Sequence, residues 1–175
     1  MKIVMVAVSS LNGKITRGKE SHIYSWTSKE DANFFFDLVE KARLIVMGSA
    51  TYESVKSIMK HKKSRLRVIL TRNPKKYVKD TIENMLEFSS KDPLELVKDL
   101  ENRGYKNMLL VGGNTIFLKS NLVDEIYLTL EPKIFGKGKS LLNDEDMDFS
   151  LQLLSIKKLN KQGTILLKYR VHPQV

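Results

Sequence analysis

The 175-residue chain predicts one α/β domain over residues 1–175. Its sheet is expected to be mixed, mostly parallel with an antiparallel C-terminal hairpin, with helices on both faces. Three observations carry that expectation. Short apolar runs rich in β-branched residues, at 2–8, 44–48, 67–71 and 108–111, read as strands covered on both sides. Segments with apolar residues at helical spacing lie between several of them. Two late strand-like segments, 151–159 and 164–171, flank Asn160-Lys161-Gln162-Gly163, a hairpin signal.

Each element has a local reason. The first strand stops at the turn signal Ser9-Ser10-Leu11-Asn12-Gly13. Ser28 followed by Glu30 and Asp31 is a helix start, and Phe34, Phe35, Leu38, Val39 and Ala42 then recur on one face, which the helix is expected to bury. The strand 44–48 runs into Gly48-Ser49-Ala50-Thr51 and a further helix. The strand 67–71 is stopped by Asn73-Pro74, because a residue before proline is held extended. Residues 93–103 carry Leu94, Leu96, Val97 and Leu100 and meet Gly104, a glycine stop. After the strand 108–111 and Gly112-Gly113 comes a short helix, and residues 125–130 alternate Ile126, Leu128 and Leu130 as a strand does.

Composition narrows the chemistry. Thirty Lys and Arg against twenty Asp and Glu leave a net charge of +10, a field that draws phosphates or nucleic acid. Without cysteine there is no thiolate nucleophile, disulfide or Cys-based zinc site, and His22, His61 and His172 stand far apart, so no metal is expected. The apolar opening is too short to span a bilayer, so no membrane partner and a cytoplasmic location are expected. The basic run Lys60-His61-Lys62-Lys63-Ser64-Arg65-Leu66-Arg67 reads as a solvated loop. A non-catalytic nucleic-acid-binding domain is one rival reading of the charge, but the run has no interleaved aromatics for stacking, and no nucleic-acid partner is expected.

Three turns could receive phosphate. Gly48-Ser49-Ala50-Thr51 and Gly112-Gly113-Asn114-Thr115 each close a strand and open a helix, where backbone amides face outward and glycine lets a ligand come close. Thr71-Arg72-Asn73 closes another strand and adds a cation able to grip phosphate bidentately. Together they describe a phosphorylated cofactor at the carboxyl ends of the strands. The spacing departs from the dinucleotide fingerprint with glycines at first, third and sixth positions.

Gly48-x-x-Thr51-Tyr52-Glu53-Ser54, Leu70-Thr71-Arg72-Asn73 and Gly112-Gly113 resemble, in order, the three cofactor segments of dihydrofolate reductases. The resemblance implies NADPH as cofactor, with Gly48, Thr51, Thr71, Arg72, Gly112 and Gly113 around its pyrophosphate, 2′-phosphate end and nicotinamide, and Asn114 and Thr115 completing the last turn. Asp124-Glu125-Ile126-Tyr127-Leu128-Thr129 resembles the strand whose threonine hydrogen-bonds the active-site acid. Trp26 and Asp31 stand five apart, as the tryptophan and acid do in the bacterial enzymes, which makes Asp31 and Thr129 the catalytic candidates and Trp26 a substrate-side aromatic. Without the resemblance, Asp31 reads equally as a first-turn carboxylate favoured by the helix dipole, Trp26 as core and Thr129 as a strand former.

A second resemblance spans most of the chain. Ser10-Leu11-Asn12-Gly13-Lys14-Ile15, Ser28-x-Glu30-Asp31, Leu122-Val123-Asp124-Glu125 and Pro132-Lys133-Ile134-Phe135-Gly136 are similar to the reductase domain of riboflavin-biosynthesis deaminase-reductases, within the dihydrofolate reductase-like superfamily. It implies reduction of a ribosylaminopyrimidine 5′-phosphate to its ribityl form by a homodimer, with Lys14 as a substrate-side cation. The substrate stays open between a phosphorylated pyrimidine and a pterin, the latter for dihydrofolate reduction.

Overall fold

The computed structural model describes residues 1–20, 23–112, 114–142 and 147–172. Strands β1 (Lys2–Ser10), β2 (Leu44–Gly48), β3 (Leu66–Leu70), β4 (Leu86–Ser89), β5 (Asn107–Val111), β6 (Glu125–Glu131), β7 (Leu151–Lys158) and β8 (Ile165–Val171) form one sheet, in the order β4-β3-β2-β5-β1-β6-β8-β7. The pairings from β4 across to β6 are parallel, whereas β8 runs antiparallel to β6 and β7 antiparallel to β8. This is the mixed sheet the sequence predicts.

Alternation along the strands sorts side chains to two faces. Ile3, Met5, Leu44, Val46, Leu66, Val68, Met108 and Leu110 face one core, which helix α3 (Pro93–Asn102) covers with Leu96, Val97 and Leu100, and helix α4 (Asn114–Lys119) with Phe117 and Leu118. Val6, Ile45, Met47, Ile69 and Leu109 face the other core, covered by Phe34, Phe35, Leu38 and Val39 of helix α1 (Lys29–Lys41) and by Tyr52 of helix α2 (Ser49–Val55). Helices therefore lie on both faces.

Four differences from the sequence expectation have physical causes. The basic run 60–67 is not a solvated loop throughout: it enters β3 at Leu66, and Arg65 and Arg67 are buried, Arg65 donating to the carbonyls of Ala42 and Glu40 at 2.9 and 3.0 Å. Leu86-Glu87-Phe88-Ser89 is too short and polar to announce a strand, and becomes β4 by pairing with β3 after a 3-10 segment, Pro74–Asp80. The first strand extends past residue 8 to Ser10 because Ser9 and Ser10 pair with Leu130 and Glu131 of β6. Finally, α1 rests its apolar residues on the core half-buried, and its one buried residue is Asp31. Burying a carboxyl carries a desolvation cost that the apolar residues of this helix do not meet.

Candidate active site

Because the strands from β4 across to β6 are parallel, their carboxyl ends share one edge of the sheet, the edge where ligands lie in open α/β folds. Gly48 precedes α2 with extended backbone and no side-chain cap, so the first amides of the helix remain open. Gly112, after β5, has φ +81, a conformation natural to glycine, and a Cβ placed there would lie 2.3 Å from Thr51 Oγ1. The two glycine turns are thus pressed together, with room for backbone only.

Beyond them, the Thr71 amide donates to the Ser89 carbonyl at 2.9 Å and Thr71 Oγ1 accepts from the Asn73 amide at 3.2 Å, which shapes the turn that leaves Arg72 exposed. Asn114 opens α4 and Thr115 follows in its first turn, while Gly113 lies outside the described residues.

The other half of the edge is acidic and closed. Ser28 caps α1, its Oγ accepting from the Asp31 amide at 3.2 Å. Asp31 is 5% exposed, and its carboxyl neighbours Thr129 of β6, which is itself buried. Burial pushes the Asp31 carboxyl up to about 6, against the pull of Thr129 and with a further push from the charge of Glu131. Tyr24 borders the same carboxyl: burial, then the Asp31 charge, raises its phenol, and its ring stacks on Phe36 at 5.9 Å.

Glu131 is a member of this site that the sequence reading omits. It is buried at the end of β6, where Oε1 accepts from the Ser28 amide at 2.7 Å and Oε2 from the Thr164 hydroxyl at 2.8 Å. Asn160 Nδ2 in turn donates to Thr164 Oγ1 at 2.9 Å and to Glu30 Oε2 at 3.1 Å. The available signal was position: two residues beyond Thr129 on one strand, Glu131 points to the same face.

Trp26 is buried, edge-on to Phe135 at 5.1 Å, and its indole Nε1 is enclosed without a hydrogen-bond partner among the described residues. Its ring is therefore packing, and only the N–H is left to offer. Lys14 Nζ donates to Ser140 Oγ at 3.1 Å, and Lys14 bridges Ser140 through the backbone, so this cation is tied to the loop after β6. Two of the motifs singled out in the sequence meet here: Asn12 Nδ2 donates to the Phe135 carbonyl at 2.7 Å, and Asn12 Oδ1 accepts from the Phe135 amide at 3.1 Å and from Ser10 Oγ at 2.8 Å. Among the described residues no helix is long and apolar enough to cross a membrane, and no group of three or more His, Asp or Glu could hold a metal ion.

Residues 1–165 match the family described as the RibD C-terminal domain. Protein YyaP of Bacillus subtilis (strain 168) is 30% identical over 107 residues, 57% of this chain and 56% of YyaP. A Shewanella sp. PV-4 protein ascribed to riboflavin biosynthesis superposes with a TM-score of 0.80 at 22% identity, covering 99% of this chain and 100% of that one. The diaminohydroxyphosphoribosylaminopyrimidine deaminase/5-amino-6-(5-phosphoribosylamino)uracil reductase of Thermotoga maritima gives 0.73 at 17% identity, covering 98% of this chain and 56% of the enzyme. Dihydrofolate reductase of Enterococcus faecalis, complexed with NADP(H), gives 0.64 at 19%, covering 98% and 97%. At these identities the solved structures establish a shared fold.

Proposed function

The chain belongs to the RibD C-terminal domain family, and from that premise we propose that it is an NADPH-dependent reductase that converts a ribosylaminopyrimidine 5′-phosphate to its ribityl form. The observation that carries this reading is Asp31: a buried carboxyl, beside Thr129, able to keep a proton up to about pH 6, on the same sheet edge as the glycine turns. NADPH, when bound, supplies the hydride. The residues present fit it, since no side chain caps the amides after Gly48, where a pyrophosphate could sit, and Arg72 lies exposed at the neighbouring turn.

In this reading Gly48, Thr51 and Gly112 hold the pyrophosphate, Thr71 and Arg72 the 2′-phosphate end, and Gly113, Asn114 and Thr115 border the nicotinamide. Asp31 gives its proton to the substrate as the C=N carbon of the opened ribosyl unit is reduced, and Thr129 keeps the carboxyl aimed. Lys14 offsets the substrate phosphate, and Trp26, packed edge-on to Phe135, backs the substrate side from within the core. The reading places the protein in the cytoplasm. It also pairs two copies along β7, an edge strand exposed along its whole length that carries Leu151, Leu153, Leu154 and Ile156.

A second reading, dihydrofolate reduction, draws on the stacked Tyr24 and Phe36 beside Asp31, a flat aromatic surface suited to a pterin. NADPH oxidation measured in parallel with the ribosylaminopyrimidine phosphate and with dihydrofolate separates the two. Turnover of the pyrimidine alone is the expected result; turnover of dihydrofolate alone transfers the assignment, and oxidation with neither overturns the substrate class.

A further inference from the structure

Ser28-x-x-Asp31 has the spacing of a capping box, in which the acid at the third helical position reaches back to the amide of the cap residue. Half of that box is present: Ser28 Oγ accepts from the Asp31 amide at 3.2 Å. The reciprocal half is taken by another residue. The Ser28 amide donates to Glu131 Oε1 at 2.7 Å, across 103 positions of sequence, and the Asp31 carboxyl is left beside Thr129. Glu131 is itself fixed, 2% exposed, with Oε2 bound by the Thr164 hydroxyl at 2.8 Å.

We propose that Glu131 is the positioning residue for Asp31: by occupying the Ser28 amide it keeps the acid out of the capping box and beside Thr129. This rests on the reading of Asp31 as the acid of the site. A carboxylate does here what a glutamine could do at a smaller desolvation cost, since the Gln oxygen would accept the same amide. The charge adds a second effect. Glu131 from β6 opposes the ionisation of Asp31; Tyr24, from the segment before α1, is neutral where Asp31 titrates and has its own phenol raised by burial and by Asp31, and Glu30, the neighbour of Asp31 on α1, is exposed and bound to Asn160. Glu131 therefore aims the acid and favours its protonated form.

The test is a carboxyl 13C NMR titration of Asp31 in the full chain, with Asp31→Asn identifying the resonance, in the wild type, Glu131→Gln and Glu131→Ala. Glu131→Gln keeps an acceptor for Ser28 and removes the charge, so the Asp31 midpoint should fall below its wild-type position near 6 while the melting temperature holds. Glu131→Ala frees the Ser28 amide, Asp31 closes the capping box, and the midpoint should fall further, because a carboxylate that accepts a backbone N–H prefers its charged form. A role in stability alone would lower the melting temperature of both variants and leave the midpoint where it was, which overturns the proposal. If Glu131→Ala does not fold, Glu131→Thr, whose hydroxyl is too short to reach the Ser28 amide, takes its place in the comparison with Glu131→Gln. The titration requires neither NADPH nor substrate, so it can fail while the reductase reading stands, and can succeed in a protein that reduces nothing.

Discussion

On the β2, β3 and β5 side of the carboxyl edge the chain presents backbone: Gly48 with open helix amides, Gly112 against Thr51, and an exposed Arg72. On the β6 side it presents enclosed side chains: Asp31, Thr129 and Glu131, joined to Ser28 and, through Thr164, to the loop between β7 and β8. The first half suits a large phosphorylated ligand, which amides and a surface cation can hold without deep burial. The second half suits one proton, whose affinity depends on keeping water and cations away from a carboxyl. Changes in the first half should therefore move binding, and changes in the second should move reactivity and pH dependence.

The largest effect is expected at Asp31. Asp31→Asn should lower turnover by roughly two to four orders of magnitude with NADPH affinity nearly intact, read from steady-state kinetics beside a cofactor fluorescence titration. Equal loss in both measurements would erase the division between the halves.

The same carboxyl should shape stability. Its folded value of about 6 lies above its ordinary 3.8, so the folded state binds the extra proton between those values and stability declines as pH rises through that window. The decline from this group is about 3 kcal/mol, complete above about pH 6. Chemical denaturation at pH 4 and pH 8 should show Asp31→Asn relatively more stable than the wild type at the higher pH. A parallel pH dependence in the two proteins would mean that Asp31 is not held at a raised value.

Arg72→Ala should remove most of a preference for NADPH over NADH, roughly 1.5–3 kcal/mol of charge-assisted contact, in a competition of the two cofactors. An unmutated protein without that preference would detach Arg72 from the 2′-phosphate. The smallest effect concerns the glycine turn. Gly112→Ala meets Thr51 Oγ1 at 2.3 Å and keeps an unfavourable φ, and should cost about 1–2 kcal/mol of stability as well as cofactor affinity. Pairing it with Thr51→Ala should restore the part owed to overlap, measured by thermal melts with and without NADPH.

This contrast also explains what was legible in the residues. Gly48, Thr71 and Gly112 act through their own turns, so short motifs announce them. The strands β2, β3 and β5 were legible for the same reason, through the apolar runs 44–47, 68–70 and 108–111. Ser28 also announced α1, but the capping spacing alone would have bound Asp31 to its own helix; a residue 103 positions away prevents it. Glu131 and Thr164 had no local signature because their contact exists only once β6 and β8 pair. Strand β4 escaped for a related reason, since a four-residue polar segment becomes a strand through its partner. Trp26 shows the converse: its spacing from Asp31 was visible, but its enclosure against Phe135 was not.

The pH profile of kcat/KM for NADPH oxidation with the preferred substrate, compared between the wild type and Asp31→Asn, tests the central claim most directly. If Asp31 must carry the proton it delivers, wild-type activity should fall about tenfold for each pH unit above about 6, and the residual activity of Asp31→Asn should lack that limb. A wild-type profile that is flat through pH 6, or a variant that retains the same descending limb, would contradict the assignment of Asp31 as the acid of this site.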